Sequence, residues 1–120
     1  MSRRIERVNS LLRQEISELV RRGVKDPRLA QLVTITRVAV TPDLTLARVY
    51  VSVLGSEEER DSTLAALTSA APYIRRQLRP RLTIKRLPEL SFRRDEAMER
   101  SSRVLSLIER VRREWDEPHE

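Results

Sequence analysis

The most constraining feature of the sequence is an alternating run at residues 45–55, TLARVYVSVLG. Every second position from Ala47 to Val53 is small or β-branched and apolar, and the intervening positions are Arg48, Tyr50 and Ser52. Because successive side chains of a strand point to opposite faces, the run predicts a strand with one buried and one wet face. The rest of the chain must therefore cover one side of a sheet and leave the other side open.

Two further segments can supply strands to this sheet. Residues 32–40, LVTITRVAV, are rich in β-branched residues and are followed by the turn signal Thr41-Pro42-Asp43. These features predict an antiparallel hairpin with the alternating run. In residues 82–95, LTIKRLPELSFRRD, Leu90 and Phe92 alternate with polar residues, which predicts a third strand that Pro88 either interrupts or precedes.

Helical spacing and capping residues place the helices. A first helix is predicted from a cap at Ser2 to a stop at Gly23, and Ser56 with Glu59 forms a capping box that starts a second helix at about Glu57. Asp95 is placed to cap a last helix. The apolar face of that last helix consists of Ala97, Val104, Ile108, Val111 and Trp115.

Pro72 stands in the middle of an apolar face that continues from Leu64 through Leu67, Ala71 and Ile74 to Leu78. Proline lacks an N–H group and crowds the preceding turn, so the second helix is expected to end there and a third helix to begin at Pro72. That helix should end near Arg79, because Pro80 follows.

The predicted order is helix, strand, strand, helix, helix, strand, helix, without a repeat or linker. We therefore expect an α+β fold in which helices cover one face of a three-stranded sheet. The chain of 120 residues is 39% hydrophobic, which suits one domain over residues 1–115 with a frayed tail at 116–120.

Residues suited to catalysis or metal binding are scarce. Cysteine is absent, His119 is the one histidine, and Gly23 and Gly55 are too few for a glycine-rich phosphate loop. Asp26, Asp43 and Asp95 lie at turn or cap positions, where a structural role is the usual one. We therefore expect no enzymatic activity, no metal and no cofactor.

Composition also bears on location. No run approaches the roughly 20 apolar residues that a membrane span needs, and the first 15 residues lack the apolar core of a secretion signal. The absence of cysteine is compatible with a reducing compartment. We expect a cytoplasmic protein without membrane contact.

Basic residues concentrate between Ala70 and Arg94, where Glu89 is the one acidic residue. Only Lys25 and Lys85 are lysines, so arginine makes up nearly all of the 24 basic residues, and its planar fork suits phosphate. The start of a helix at Pro72 would add free N–H groups beside this basic side. The candidate residues for binding a polyanion such as RNA are Arg75, Arg76, Arg79, Arg81, Lys85 and Arg86. The alternative is a kinked helix with solvated arginines.

The sequence resembles the ribosome-binding factor A family along nearly its whole length. The resemblance is carried by TITRVAVTPDL, ARVYVSVLG, AAPYIRRQL and LPELSFRRD, in the order that the family has them. It implies a type II KH-like fold in which a kink of the form Ala-x-Gly replaces the usual GXXG loop. The matching positions are Ala70, Ala71 and Pro72, so proline stands where the family has glycine.

The resemblance also implies a function. A member of this family would bind the immature 30S ribosomal subunit through 16S ribosomal RNA, assist late maturation and then leave, without catalysing a reaction. We expect such a factor to be monomeric when it is free. Aromatic residues for base stacking are few, so binding by charge and shape is the expected mode.

Two other functions remain open on the sequence alone. The amphipathic first or last helix could dock a partner helix, which would make the protein an interaction adaptor. The two helices around Pro72 could instead imitate a helix-turn-helix that binds DNA, although its second helix lacks a set of base-reading Asn or Gln residues.

Overall fold

The computed structural model describes residues 3–26 and 33–101 and has the expected α+β architecture. The elements are α1 (Arg3–Gly23), β1 (Val33–Val40), β2 (Leu46–Val53), α2 (Glu57–Leu78), a 3-10 helix (Arg79–Arg81) and β3 (Glu89–Arg94). Residues 96–101 are also helical and are called α3. The predicted end of the first helix at Gly23 is confirmed. The predicted cap at Ser2, the start of the strand at Leu32, most of the α3 face and the tail lie outside the described residues.

The three strands form one sheet in the order β1-β2-β3. β1 pairs with β2 antiparallel, as predicted for a hairpin, whereas β3 pairs with β2 in parallel. The alternation in β2 is confirmed, because Ala47, Val49, Val51 and Val53 are buried while Arg48 is exposed. Helix α1 packs against β1 and α2 packs against β3. One face of the sheet is thereby covered, and Arg48 is exposed on the opposite face, which we call the open face.

Side-chain hydrogen bonds close the turn between β1 and β2. Asp43 accepts hydrogen bonds at Oδ1 from the hydroxyls of Thr41 at 2.7 Å and Thr45 at 2.8 Å. These bonds hold the pKa of Asp43 below its usual value. Leu44 adopts a left-handed conformation with φ of 61°, and its side chain packs against the core. The structural role predicted for Asp43 fits this geometry.

The apolar face of α1 lies in the core. Leu12, Ile16, Leu19 and Val20 are at most 5% exposed. They pack with the valines of β1 and β2 and with Leu67 of α2. Helix α1 therefore has no apolar face left for a partner helix, which removes the basis for an adaptor that docks through the first helix.

A capping box starts α2 at the predicted position. The Ser56 hydroxyl accepts a hydrogen bond from the Glu59 N–H at 3.2 Å, and the Glu59 carboxylate accepts one from the Ser56 N–H at 3.3 Å. Gly55 precedes the cap with φ of 155°, and a Cβ at that residue would lie 2.8 Å from Glu59 Oε2. Glycine is therefore needed for the chain to enter this capping box.

The predicted helix break at Pro72 is wrong. Helix α2 runs without interruption from Glu57 to Leu78 and contains Pro72 in its interior. Pro72 and Thr68 are both exposed, so water can satisfy the Thr68 carbonyl that has no N–H partner at Pro72. Leu67 and Ile74, one before and one after the proline, are fully buried in the same core. Packing on both sides thus holds together a helix that local preference would interrupt.

This continuity corrects two further expectations. The segment from Pro72 to Leu78 is not a separate helix, so it does not present the free N–H groups of a helix start. Residues 57–78 likewise do not form the two helices and turn that a helix-turn-helix requires. The helix does end next to Arg79, as expected from Pro80.

Candidate nucleic-acid interface

A groove of about 670 Å³ lies between the C-terminal half of α2 and the edge strand β3. It is lined by Ala71, Pro72, Arg75, Arg76, Arg79, Glu89 and Leu90. Two of the three positions of the predicted kink and three of the candidate RNA-binding arginines therefore share one concavity. Ala70 does not line the groove but packs against the core.

Arg75 forms part of the groove wall and is tied to the chain before β3. Its Nε donates a hydrogen bond to the Pro88 carbonyl at 3.2 Å, and one terminal nitrogen donates to the Leu87 carbonyl at 2.8 Å. The side chain is half-buried, and both acceptor residues are buried. Because a guanidinium has five N–H groups, these two bonds fix its position and leave other donors unused. Arg75 holds β3 against α2 as well as lining the groove.

Arg76 and Arg79 differ from Arg75, whose guanidinium is held by backbone carbonyls. Both are exposed, and neither takes part in an ion pair within the described part of the chain. Glu89 is the one carboxylate among the residues that line the groove. The groove therefore presents two solvated guanidinium groups and a third that is held in place, which is a favourable arrangement for an anion.

The other three candidate residues lie outside the groove. Arg81, in the 3-10 helix, pairs with Glu15 of α1 at 3.1 Å and so links the two helices. Lys85 and Arg86 are exposed in the segment before β3 and do not line the groove. The six candidate residues are thus divided between a groove, an ion pair and an exposed loop.

Arg94, at the end of the basic segment, belongs to a charge cluster with three carboxylates. Its guanidinium lies 2.8 Å from Glu99, 2.9 Å from Glu57 and 3.2 Å from Asp61. Hydrogen bonds to Glu99 and then Glu57 raise the pKa of Arg94 above its ordinary value. Glu99 is only 3% exposed. This cluster joins β3, α2 and α3, so Arg94 has a structural role.

Asp95 caps α3 as predicted. Its carboxylate accepts hydrogen bonds from the Met98 N–H at 3.0 Å and from the Thr36 hydroxyl at 2.6 Å. These bonds, the one from Thr36 foremost, hold the pKa of Asp95 below its usual value. The start of α3 is thereby connected to β1.

A second group of basic residues, on the open face of the sheet, was missed by the sequence reasoning. Arg37 of β1 lies over the ring of Tyr50, with its Cζ 4.3 Å from the ring centroid. Arg48 and Arg93 are exposed on neighbouring strands. The alternation in β2 already placed Arg48 and Tyr50 on the wet face, but only the strand register shows which residues flank them.

Within residues 3–26 and 33–101, no cluster of histidine, cysteine and carboxylate side chains has the composition to hold a metal ion. In the same part of the chain, no helix is long and apolar enough to cross a membrane. His119 lies outside the described residues.

Comparison with known proteins assigns the chain to a family. The model of the family described as ribosome-binding factor A matches residues 4–108. The chain belongs to the ribosome-binding factor A family. Among the curated members, the protein from Acetivibrio thermocellus is 46% identical over 105 residues, which cover 88% of this chain and 85% of that protein. The member from Synechocystis is 43% identical over 108 residues, covering 89% and 81%.

Solved structures of ribosome-binding factor A share the fold. The crystal structure of the Thermus thermophilus protein aligns with a TM-score of 0.69 at 28% identity, covering 78% of this chain and 97% of that one. A second model of the Thermus thermophilus factor, fitted into a cryo-EM map of a 30S complex, aligns with a TM-score of 0.60 at 31% identity and covers 73% and 91%. The type II KH-like architecture expected from the resemblance is confirmed.

Proposed function

We propose that this protein is a non-catalytic assembly factor that binds the immature 30S subunit through 16S ribosomal RNA and assists its late maturation in the cytoplasm. The observation that carries the proposal is the groove at Pro72, which gathers Arg75, Arg76 and Arg79 beside β3 in a chain of this family. The related Thermus thermophilus factor in a 30S complex supports the choice of partner.

The chemistry of the groove favours contact with the RNA backbone. Guanidinium groups bind phosphate through parallel N–H donors, and neutralising phosphates releases counterions from the RNA. Aromatic rings are absent from the groove lining, so it offers no platform on which a base could stack. We therefore assign phosphate contacts to Arg76 and Arg79, and we assign to Arg75 the role of keeping the groove open between α2 and β3.

The remaining candidate residues have lesser roles in this proposal. Lys85 and Arg86 lie on the exposed segment next to the groove and extend its positive potential. Arg81 is engaged by Glu15, so its contribution to RNA binding should be smaller. Ala71 and Pro72 shape one wall of the groove instead of contacting RNA by hydrogen bonds.

The test measures binding of the full chain to 30S subunits and to free 16S ribosomal RNA at several salt concentrations. Arg76→Gln with Arg79→Gln should weaken binding and flatten the plot of log affinity against log salt by about 1.4, since each phosphate contributes roughly 0.7 on single-stranded RNA. The melting temperature should hardly change, because both side chains are exposed.

The matched control is Arg3→Gln with Arg7→Gln, which makes the same change in charge on the exposed side of α1. An equal loss of affinity in both double variants would show that net charge alone governs binding and would contradict the groove assignment. Failure of the unmodified protein to bind 30S subunits would contradict the proposed function itself.

A further inference from the structure

The strand register gathers arginines on the open face of the sheet. Arg37 lies opposite Tyr50, which in turn lies beside Arg93, so that one row crosses all three strands. The next row contains Ala39, Arg48 and Ser91. Because neighbouring strands are about 4.8 Å apart, the backbones of Arg37 and Arg93 lie roughly 10 Å apart on either side of the tyrosine. We call Arg37, Tyr50, Arg93 and Arg48 the sheet-face cluster.

Within residues 3–26 and 33–101, the three arginines of the sheet-face cluster form no ion pair. All three are exposed. The nearby Asp95 interacts electrostatically with Arg37, although its carboxylate forms its hydrogen bonds with the Thr36 hydroxyl and the Met98 N–H. By contrast, Arg60, Arg81 and Arg94 all pair with carboxylates. The sheet-face cluster is therefore a positively charged surface whose exposed arginines do not belong to the core.

Arg37 and Tyr50 together offer a stacking surface. The Arg37 guanidinium lies over one side of the Tyr50 ring, a contact that combines cation–π attraction with planar stacking. Nucleobases stack on aromatic rings and on guanidinium planes alike. A recess of about 580 Å³ beside the pair gives an unpaired base room to enter. Its lining includes Arg37, Tyr50 and Arg93 on one side and the carboxylates of Asp95 and Glu96 at the start of α3.

We propose that the sheet-face cluster is a second RNA-contact surface, where a single-stranded base stacks against the Arg37–Tyr50 pair while Arg48 and Arg93 bind the flanking phosphates. This inference rests on the RNA-binding function proposed above and assigns it a second, chemically different surface. The groove at Pro72 binds backbone phosphate on the α2 side of β3, whereas the sheet-face cluster engages bases on the other side.

The test uses three probes of equal length: a single-stranded dodecamer of uridines, the same ribose–phosphate chain without bases, and a dodecamer of glutamate. Tyr50→Leu should weaken binding of the uridine dodecamer at least about five-fold and leave binding of the abasic chain unchanged, because only stacking is lost. Arg37→Gln should have the same selectivity for bases plus a smaller loss on the abasic chain. It changes an exposed side chain and so stays informative if Tyr50→Leu does not fold.

Charge is tested separately. Arg48→Gln with Arg93→Gln should weaken binding of both nucleic-acid probes and flatten the salt dependence by about 1.4. Arg3→Gln with Arg7→Gln again serves as the control with equal charge, and it should change affinity for either probe by less than two-fold.

Three outcomes would overturn the inference. The first is that Arg37→Gln binds the uridine dodecamer as tightly as the unmodified protein does. The second is that the Arg48/Arg93 and Arg3/Arg7 double variants have equal effects. The third is that the protein binds the glutamate dodecamer as tightly as RNA. The last outcome would identify the surface as a site for acidic peptides. Loss of 30S binding only in Arg76→Gln with Arg79→Gln, with normal binding in all sheet-face variants, would leave the proposed function intact and refute this inference alone.

Discussion

The arginines that lie near the two ends of α2 have opposite surroundings. Near its N-terminal end, Arg94 lies among Glu57, Asp61 and Glu99, and Arg60 pairs with Glu57 at 3.1 Å. Near its C-terminal end, Arg76 and Arg79 are exposed and form no ion pair within the described residues. Arginines that pair with carboxylates therefore stabilise the fold, whereas unpaired arginines are available to an anionic partner. The number of arginines in the sequence does not reveal this difference.

The largest effect is expected where a charge would be left buried. Arg94→Ala removes the partner of Glu99, which is 3% exposed, and should lower the free energy of unfolding by roughly 3 kcal/mol. Urea denaturation at neutral pH measures the loss. The control is Arg93→Ala, the adjacent residue on the open face, which should cost less than about 0.5 kcal/mol. Similar losses in the two variants would break the contrast between paired and unpaired arginines.

We expect Pro72 to lower the stability of the unbound protein. Pro72→Ala restores an N–H donor for the Thr68 carbonyl, which is worth about 3 kcal/mol in a helix interior, while the unfolded chain becomes more flexible by up to about 1 kcal/mol. The expected net gain is about 2 kcal/mol in urea denaturation.

The opposite type of substitution, Ala65→Pro, introduces a proline at another exposed position of the same helix. It should destabilise the protein by about 3 kcal/mol, because proline removes the N–H that bonds to the Asp61 carbonyl in α2 and crowds the preceding turn. A loss of stability in Pro72→Ala would show that α2 requires the shape that Pro72 imposes. The two halves of α2 would then differ in a second respect, because only the C-terminal half would depend on a proline.

Removing the cap at the N-terminal end of α2 should have an intermediate effect. Ser56→Ala deletes the acceptor of the Glu59 N–H and should lower the free energy of unfolding by about 1 kcal/mol. Ser56→Asp should retain most of the stability, since aspartate is also a good cap. If Ser56→Ala left the thermal melt unchanged, the carboxylates of the first turn would suffice to stabilise that end.

The smallest effect concerns acid. Hydrogen bonds hold the pKa of Asp95 in the folded protein below its usual value of 3.8. This group therefore adds stability at neutral pH that begins to fall as the pH approaches 3.8 and is lost as the pH falls through the lower pKa of the folded state. Asp95→Asn keeps a capping oxygen but does not titrate there. Its stability should therefore fall less steeply than that of the unmodified protein between pH 5 and about pH 2.5, as measured by urea denaturation. Parallel curves would contradict the assigned pKa direction.

Local patterns in the sequence are sufficient for much of the fold. The alternation in β2, the capping box at Ser56 and the cap at Asp95 each depend on neighbouring residues, and each was predicted correctly. Whether Pro72 breaks its helix is not local. It depends on whether the lost hydrogen bond faces water and whether both halves share a core, which tertiary packing decides.

The candidate site was predictable in part for the same reason. Arg76 and Arg79 fall on one side of a helix by spacing alone, and the structure places them in one groove. The ion pair of Arg81 and the carbonyl contacts of Arg75 join segments far apart in sequence, so spacing could not reveal them. The row from Arg37 through Tyr50 to Arg93 depends on the pairing of β2 with β3. Residues 54–88 separate these two strands in the sequence, so local patterns do not predict their pairing.

The parallel pairing of β3 with β2 has a kinetic consequence. Residues 41–45 close the β1–β2 hairpin through a short loop, whereas β3 docks only after α2 has crossed over the sheet. Loop-closure entropy grows with the length of the intervening chain, so we expect the hairpin to form early and β3 to dock late. The groove and the sheet-face cluster both include residues of β3. A chain in which β3 has not yet docked therefore presents neither surface complete, so the RNA contacts proposed above require the docking of β3.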